Sequence, residues 1–192
     1  MPISHTALLL ALAWSACAAT PADTTAGSSG DDTIGHPTTD APATVAELAA
    51  CDELDLDPLF FMGPVFDPET GALVAPLPLP HIVATTAGWH TPEQLMPLSE
   101  QTTPVISNVF THEGLLGASF GLSDACGSAR TLTLWRDEAA RMKFVFGQVH
   151  GAAIMNGLQH TIGWETTHWT ETASKQPPTW EQAKQRLAAA RE

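Results

Sequence analysis

Apolar positions change their spacing several times along the chain, and each change predicts an element. Residues 7–14 form an apolar run, Ala-Leu-Leu-Leu-Ala-Leu-Ala-Trp, whereas residues 20–44 are crowded with Thr, Asp, Gly, Ser, Pro and Ala and show no hydrophobic period. Val45 to Cys51 fits a short helix. Leu59 to Phe66 and Ala72 to Ala75 flank Asp67-Pro68-Glu69-Thr70-Gly71, which predicts a hairpin with turn chemistry in its middle. Pro76, Pro78 and Pro80 then bar a central strand or helix, so the core module is expected to begin at His81.

From there, His81 to Ala87 predicts a strand, and Thr91-Pro92-Glu93-Gln94 opens a helix towards Asn108 that Pro97 and Pro104 are expected to break. Gly114 to Leu122 predicts a second strand and Cys126-Gly127-Ser128 a turn. Arg130 to Trp135 predicts a third strand, with Leu132 and Leu134 alternating against Thr131 and Thr133. Asp137 caps a helix that places Met142, Val145, Phe146, Val149 and Ala153 at core-facing spacing. His160 to Thr170 suits a fourth strand, and Thr179-Trp180-Glu181-Gln182 is a capping box for a last helix to Ala190. This order defines an α+β, ferredoxin-like β-α-β-β-α-β domain with helices on one face of an antiparallel sheet. The other face is expected to meet a second copy, giving a homodimer with facing sheets.

Charge narrows the possible partners. Of 192 residues, 21 are acidic and 8 are Lys or Arg, for a net charge of -13. This argues against a nucleic-acid partner, and the asymmetry is sharp: residues 1–129 hold 15 of the acids and none of the basic residues. The stretch Asp52 to Asp57 lacks the glycine and distant Glu of a calcium loop and is expected to be solvated.

The run at residues 7–14 is too short to span a bilayer but suits a secretory signal. Trp14-Ser15-Ala16-Cys17 resembles a bacterial lipobox, which implies lipidation of Cys17 and an exported envelope lipoprotein that meets the membrane only through that lipid; the alternative is soluble secretion after cleavage at Ala16-Cys17-Ala18. The expected organisation is a signal peptide at 1–19, a disordered linker at 20–44, an extension with a hairpin at 45–80 and the core domain with its C-terminal helix at 81–192. Export leaves Cys51 and Cys126 as a candidate disulfide.

The segments Gly114 to Ser119, Thr131 to Glu138, and Phe144 through His150-Gly151-Ala152-Ala153 resemble the antibiotic biosynthesis monooxygenase-like superfamily of dimeric α/β barrels, over His81 to Trp169. Its members include cofactor-free oxygenases of polyketide aromatics and haem-degrading enzymes. The haem-degrading pattern is disfavoured: the first strand has no Asn, and Phe144 and Ile154 stand where a Trp and a haem-ligating His would be expected.

What the resemblance implies is a domain holding an apolar, aromatic small molecule between sheet and helices. Trp135 and His150 are the candidate catalytic residues, and Trp135, Phe146 and Trp164 the candidate ligand-lining residues. No cofactor is expected, and no metal, because His150, His160 and His168 are irregularly spaced. Each also has a plain reading: Trp135 as core, His150 as a hydrogen-bonded structural histidine, Trp164 as packing. Two functions therefore stand: a cofactor-free monooxygenase-like enzyme, or a non-catalytic envelope lipoprotein for dimerisation or small-ligand binding. The absence of a convergent polar set in the sequence favours the second.

Overall fold

A computed structural model describes residues 43–192, within the second of two units into which the chain divides after Thr39. The signal run, Cys17 and most of the linker lie outside the described residues.

The chain forms five strands: β1 (Asp57–Pro58), β2 (His81–Trp89), β3 (Leu115–Ser123), β4 (Ser128–Trp135) and β5 (Gly163–Glu171). They form one antiparallel sheet in the order β1-β3-β4-β2-β5. Without the two-residue β1, this is the ferredoxin-like order that the sequence predicts. The helices are α1 (Val45–Ala49), α2 (Pro92–Val109), α3 (Glu138–Val145), α4 (Gln148–Gly157) and α5 (Trp180–Ala190).

Because side chains alternate across a strand, the pairings define two faces. On the first, the helix face, Ile82, Leu115, Ala118 and Trp135 pack against Val109 at the end of α2 and Ala140 and Phe144 of α3. On the second, the extension face, Val83, Leu132 and Leu134 pack against Phe66 and Leu77 from the segment before β2 and Ala183 of α5. Ala87 and Trp89 continue this face against Leu187 of α5 and Val45 and Leu48 of α1. An apolar face awaiting a second copy was the physical premise for facing sheets. The chain covers that face with its own extension and last helix.

Three local expectations are corrected. The helix after Thr91 does not break: α2 runs through both Pro97 and Pro104. Each proline removes one N–H, and the carbonyl acceptors four residues earlier belong to Glu93 and Glu100, exposed residues on the solvent side where water can serve them. The helix capped by Asp137 does break. Its cap accepts from Ala140 N at 2.8 Å, but α3 ends at Val145 and α4 restarts after Gly147. Phe146 is therefore 77% exposed at the junction and Val149 is also exposed, while Phe144 takes the core position. The hairpin of the extension contracts to a single bridge, Phe66 opposite Leu73, around a turn in which the Asp67 carboxylate accepts from the amides of Glu69 and Thr70.

Candidate functional site

The register assembles the helix face row by row. Trp164, Gly88, Ala129 and Leu122 make one row; Thr166, Thr86, Thr131 and Phe120 the next; His168, Ala84, Thr133 and Ala118 the third. No Asp, Glu, Lys or Arg of β2 to β5 points to this face, and all three that those strands contain, Arg130, Glu165 and Glu171, lie on the other. The packed cluster seals only the end nearest Trp135. Towards the first row the floor opens, with Trp164 and Leu122 each 47% exposed and Thr86, Thr131 and Phe120 half-buried.

Hydroxyls give this floor its polarity. Thr86 Oγ1 donates to Thr166 Oγ1 at 3.0 Å, which donates to the Thr85 carbonyl at 3.0 Å. Thr133 Oγ1 accepts from Trp135 Nε1 at 2.9 Å and donates to the Ala84 carbonyl at 3.3 Å. Their protons are thus committed to the protein, and what these threonines retain is methyl surface and acceptor lone pairs.

Trp135 and His150 are brought to one cluster without touching the open floor together. Trp135 is 1% exposed and stacks on Phe144 with ring centres 5.2 Å apart. His150 lies tilted on the same Phe144 at 4.6 Å, and His112 meets it edge-on at 5.2 Å. His150 Nδ1 is 3.0 Å from the Val145 carbonyl, so the ring caps the end of α3 across the break, with Nδ1 as the donor. Burial lowers its pKa; the bond to Val145 opposes that shift and nearby His112 adds to it.

Of the other candidates, Trp164 stands on the floor and Phe146 projects from the α3–α4 junction. His168, at the floor's β5 edge, has Nε2 3.5 Å from Arg141 Nη2 and 3.8 Å from Glu138 Oε1. His160 ends the short 3-10 turn that follows α4. Among the described residues no three His, Cys, Asp or Glu side chains are grouped to hold a metal. Cys51 and Cys126 are joined, with Cα atoms 5.9 Å apart.

Sequence reasoning missed the polar centre of the extension face. Glu53, expected in a solvated acidic stretch, is 5% exposed. Its carboxylate accepts from Arg130 Nε at 2.7 Å, from Lys184 Nζ at 3.0 Å and from Ser128 Oγ. Burial acts to raise its pKa, but Ser128, Arg130 and Lys184 together outweigh that and hold it below the ordinary glutamate range. The available signal was Arg130 itself: it shares the strand parity of Leu132 and Leu134, so it points inward and needs a partner. Beside this network is a depression of about 260 Å³ edged by Lys184, Glu165, Glu181 and Arg191; a second, of about 310 Å³, runs along Trp169, Glu171, Gln182 and Arg186. Both mix charges of opposite sign, which suits an apolar ligand poorly.

No protein-family model matches the sequence, and no curated protein is significantly similar to it. Solved structures similar to it include a candidate monooxygenase from Fusobacterium nucleatum at 12% identity and a TM-score of 0.44, covering 52% of this chain and 48% of that one. Rv0793 from Mycobacterium tuberculosis is 11% identical with a TM-score of 0.45, covering 49% of this chain and 99% of its own. An antibiotic biosynthesis monooxygenase is 12% identical with a TM-score of 0.43, covering 48% and 97%. The chain thus spans about half the length of the Fusobacterium protein, and the fold assignment rests on its own strand order and pairings.

Proposed function

We propose that this chain is an exported, lipid-tethered domain of the antibiotic biosynthesis monooxygenase-like type that holds an uncharged, apolar small molecule against the helix face of its sheet. The observation that carries this is the charge-free floor, half-open around Trp164, Leu122 and Phe120 and furnished with threonine hydroxyls whose protons are already committed. Such a surface gains by covering apolar area and can accept a hydrogen bond from a ligand N–H or O–H. Export is supported by the Cys51–Cys126 bridge, which belongs to an oxidising compartment. Lipidation at Cys17 rests on the lipobox-like residues alone.

The test is a neutral apolar amine dye such as N-phenyl-1-naphthylamine, with affinity read by fluorescence. Thr131→Lys, which puts a charge on the floor, is expected to weaken binding at least about tenfold with the circular dichroism unchanged. Absence of binding, or binding indifferent to that charge, would remove the proposal.

A monooxygenase-like activity on electron-rich polycyclic phenols is the second reading. One observation favours it: burial lowers the His150 pKa and so favours the neutral ring, and the Nδ1 bond to the Val145 carbonyl leaves Nε2 as the lone-pair atom a general base uses. Turnover that vanishes in His150→Ala while dye binding persists would establish it.

A further inference from the structure

We infer that two copies of this chain join edge to edge through β5, antiparallel and two-fold symmetric about Thr167, so that their sheets become one. The inference is independent of the ligand proposed above.

The two edges of the sheet are finished differently. The β3 edge is closed by the extension: Leu59 N donates to Phe120 O at 2.8 Å, and Met62 and Ala118 exchange bonds of 2.9 and 2.8 Å. Pro58 and Pro64 on that covering segment lack the N–H to extend the ladder outward. Among the described residues the β5 edge has no such finish. Its nine residues pair with β2 in unbroken register from Glu171 to Gly163, and the strand contains no Pro, Lys, Arg or bulge. None of its residues is buried, and the four on the helix face, Trp164, Thr166, His168 and Thr170, are all exposed. Folded proteins ordinarily blunt such an edge, because its unpaired N–H and C=O groups template another strand.

The sequence of β5 specifies which strand fits. A two-fold axis perpendicular to the sheet keeps faces matched, so opposed residues must have the same parity. Centred on Thr167, it pairs all nine residues: Gly163 with Glu171, Trp164 with Thr170, Glu165 with Trp169, Thr166 with His168, and Thr167 with itself. No like charges stand directly opposite one another. Moving the centre one residue to His168 sets Glu165 against the partner's Glu171, which is repulsive, and moving it to Thr166 leaves two residues unpaired. The strand is therefore self-complementary, and the register centred on Thr167 pairs the most residues without opposing like charges, which favours a second copy as the occupant of the edge. In that register the charge-free floors become continuous, with Thr166 beside the partner's His168.

Sedimentation of the full chain at micromolar concentration tests this through the one residue on the axis. The wild type should sediment at twice the chain mass. T167E and T167K should each raise the dissociation constant at least about tenfold by setting like charges opposite one another. An equimolar mixture of the two should restore the pair. A single-chain mass for the wild type, an assembly indifferent to both substitutions, or a mixture that fails to restore it would overturn the inference. Should either variant misfold, hydrogen exchange on the wild type decides: amides from Trp164 to Thr170 gain protection with concentration if the edge pairs, and are unchanged if it does not.

Discussion

On the extension face each charged residue of the sheet is answered: Arg130 by Glu53, Glu165 by Arg191 at 2.8 Å, and Glu171 by the amides of Ala173 and Ser174. On the helix face the same strands carry threonine, alanine, glycine, tryptophan and leucine, and part of that surface is left open. The difference shows how one set of strands can separate stability from recognition. An arginine turned inward must be paired or the fold fails, so the segment bearing Glu53 is held in place by a large penalty. A threonine floor imposes no such demand and is free to meet a ligand.

The strongest way to break this comparison is Glu53→Ala, which leaves Arg130 buried without its carboxylate. The expected loss is about 3–5 kcal/mol by urea denaturation. Much of it should return when Arg130→Met is added, because the pair then leaves together. A loss below about 1 kcal/mol would mean that the extension face is not where stability is concentrated.

Acid sharpens it on the other side. The His150 pKa is lowered in the folded chain, so the native state holds fewer protons there than the unfolded chain, whose histidine titrates near about 6.5. Its contribution is complete above that pH and is lost as pH falls. His150→Gln, which also gives up the bond to the Val145 carbonyl, should cost about 1 kcal/mol at neutral pH and flatten the decline between about pH 7 and 5.5 in thermal unfolding. An unaltered decline would assign it elsewhere.

The smallest effect on stability is expected on the open floor. Trp164→Ala should change stability by no more than about 0.5 kcal/mol while lowering dye affinity several-fold, since its half-exposed ring supports no core. A large stability loss at this position would merge the two faces that the comparison separates.

The alternation of Leu132 and Leu134 with Thr131 and Thr133, and the caps at Thr91, Asp137 and Thr179, made the order of elements and the fold class legible, because period and capping are local properties. The floor was partly legible too. Trp164 was singled out, but that Thr86, Thr131 and Thr166 share its open face depends on register, which a single strand does not contain. The break at Gly147 was hidden because Met142, Val145, Phe146 and Val149 fit one continuous helical stripe. Glu53 was hidden for a different reason: its partners Ser128, Arg130 and Lys184 lie 75 or more residues away, and an acidic stretch offers no sign that one of its members turns inward.

The bridge between Cys51 and Cys126 has a mechanical consequence. If the oxidised chain is pulled from its two ends, tension passes from one sulfur to the other and never enters the chain between them, a sequence separation of 75 that includes the whole of β1, β2, α2 and β3. At about 3.5 Å per extended residue, roughly 260 Å of length is withheld from any stretching force until the bond is reduced. Force reaches α1, where Leu48 packs against the cluster of Ala87, Trp89 and Leu187, and from Cys126 onward β4, α3, α4, β5 and α5. Both α1 and α5 pack on that cluster, so a stretched chain would load it from both sides while β2 and β3 stay behind the bridge.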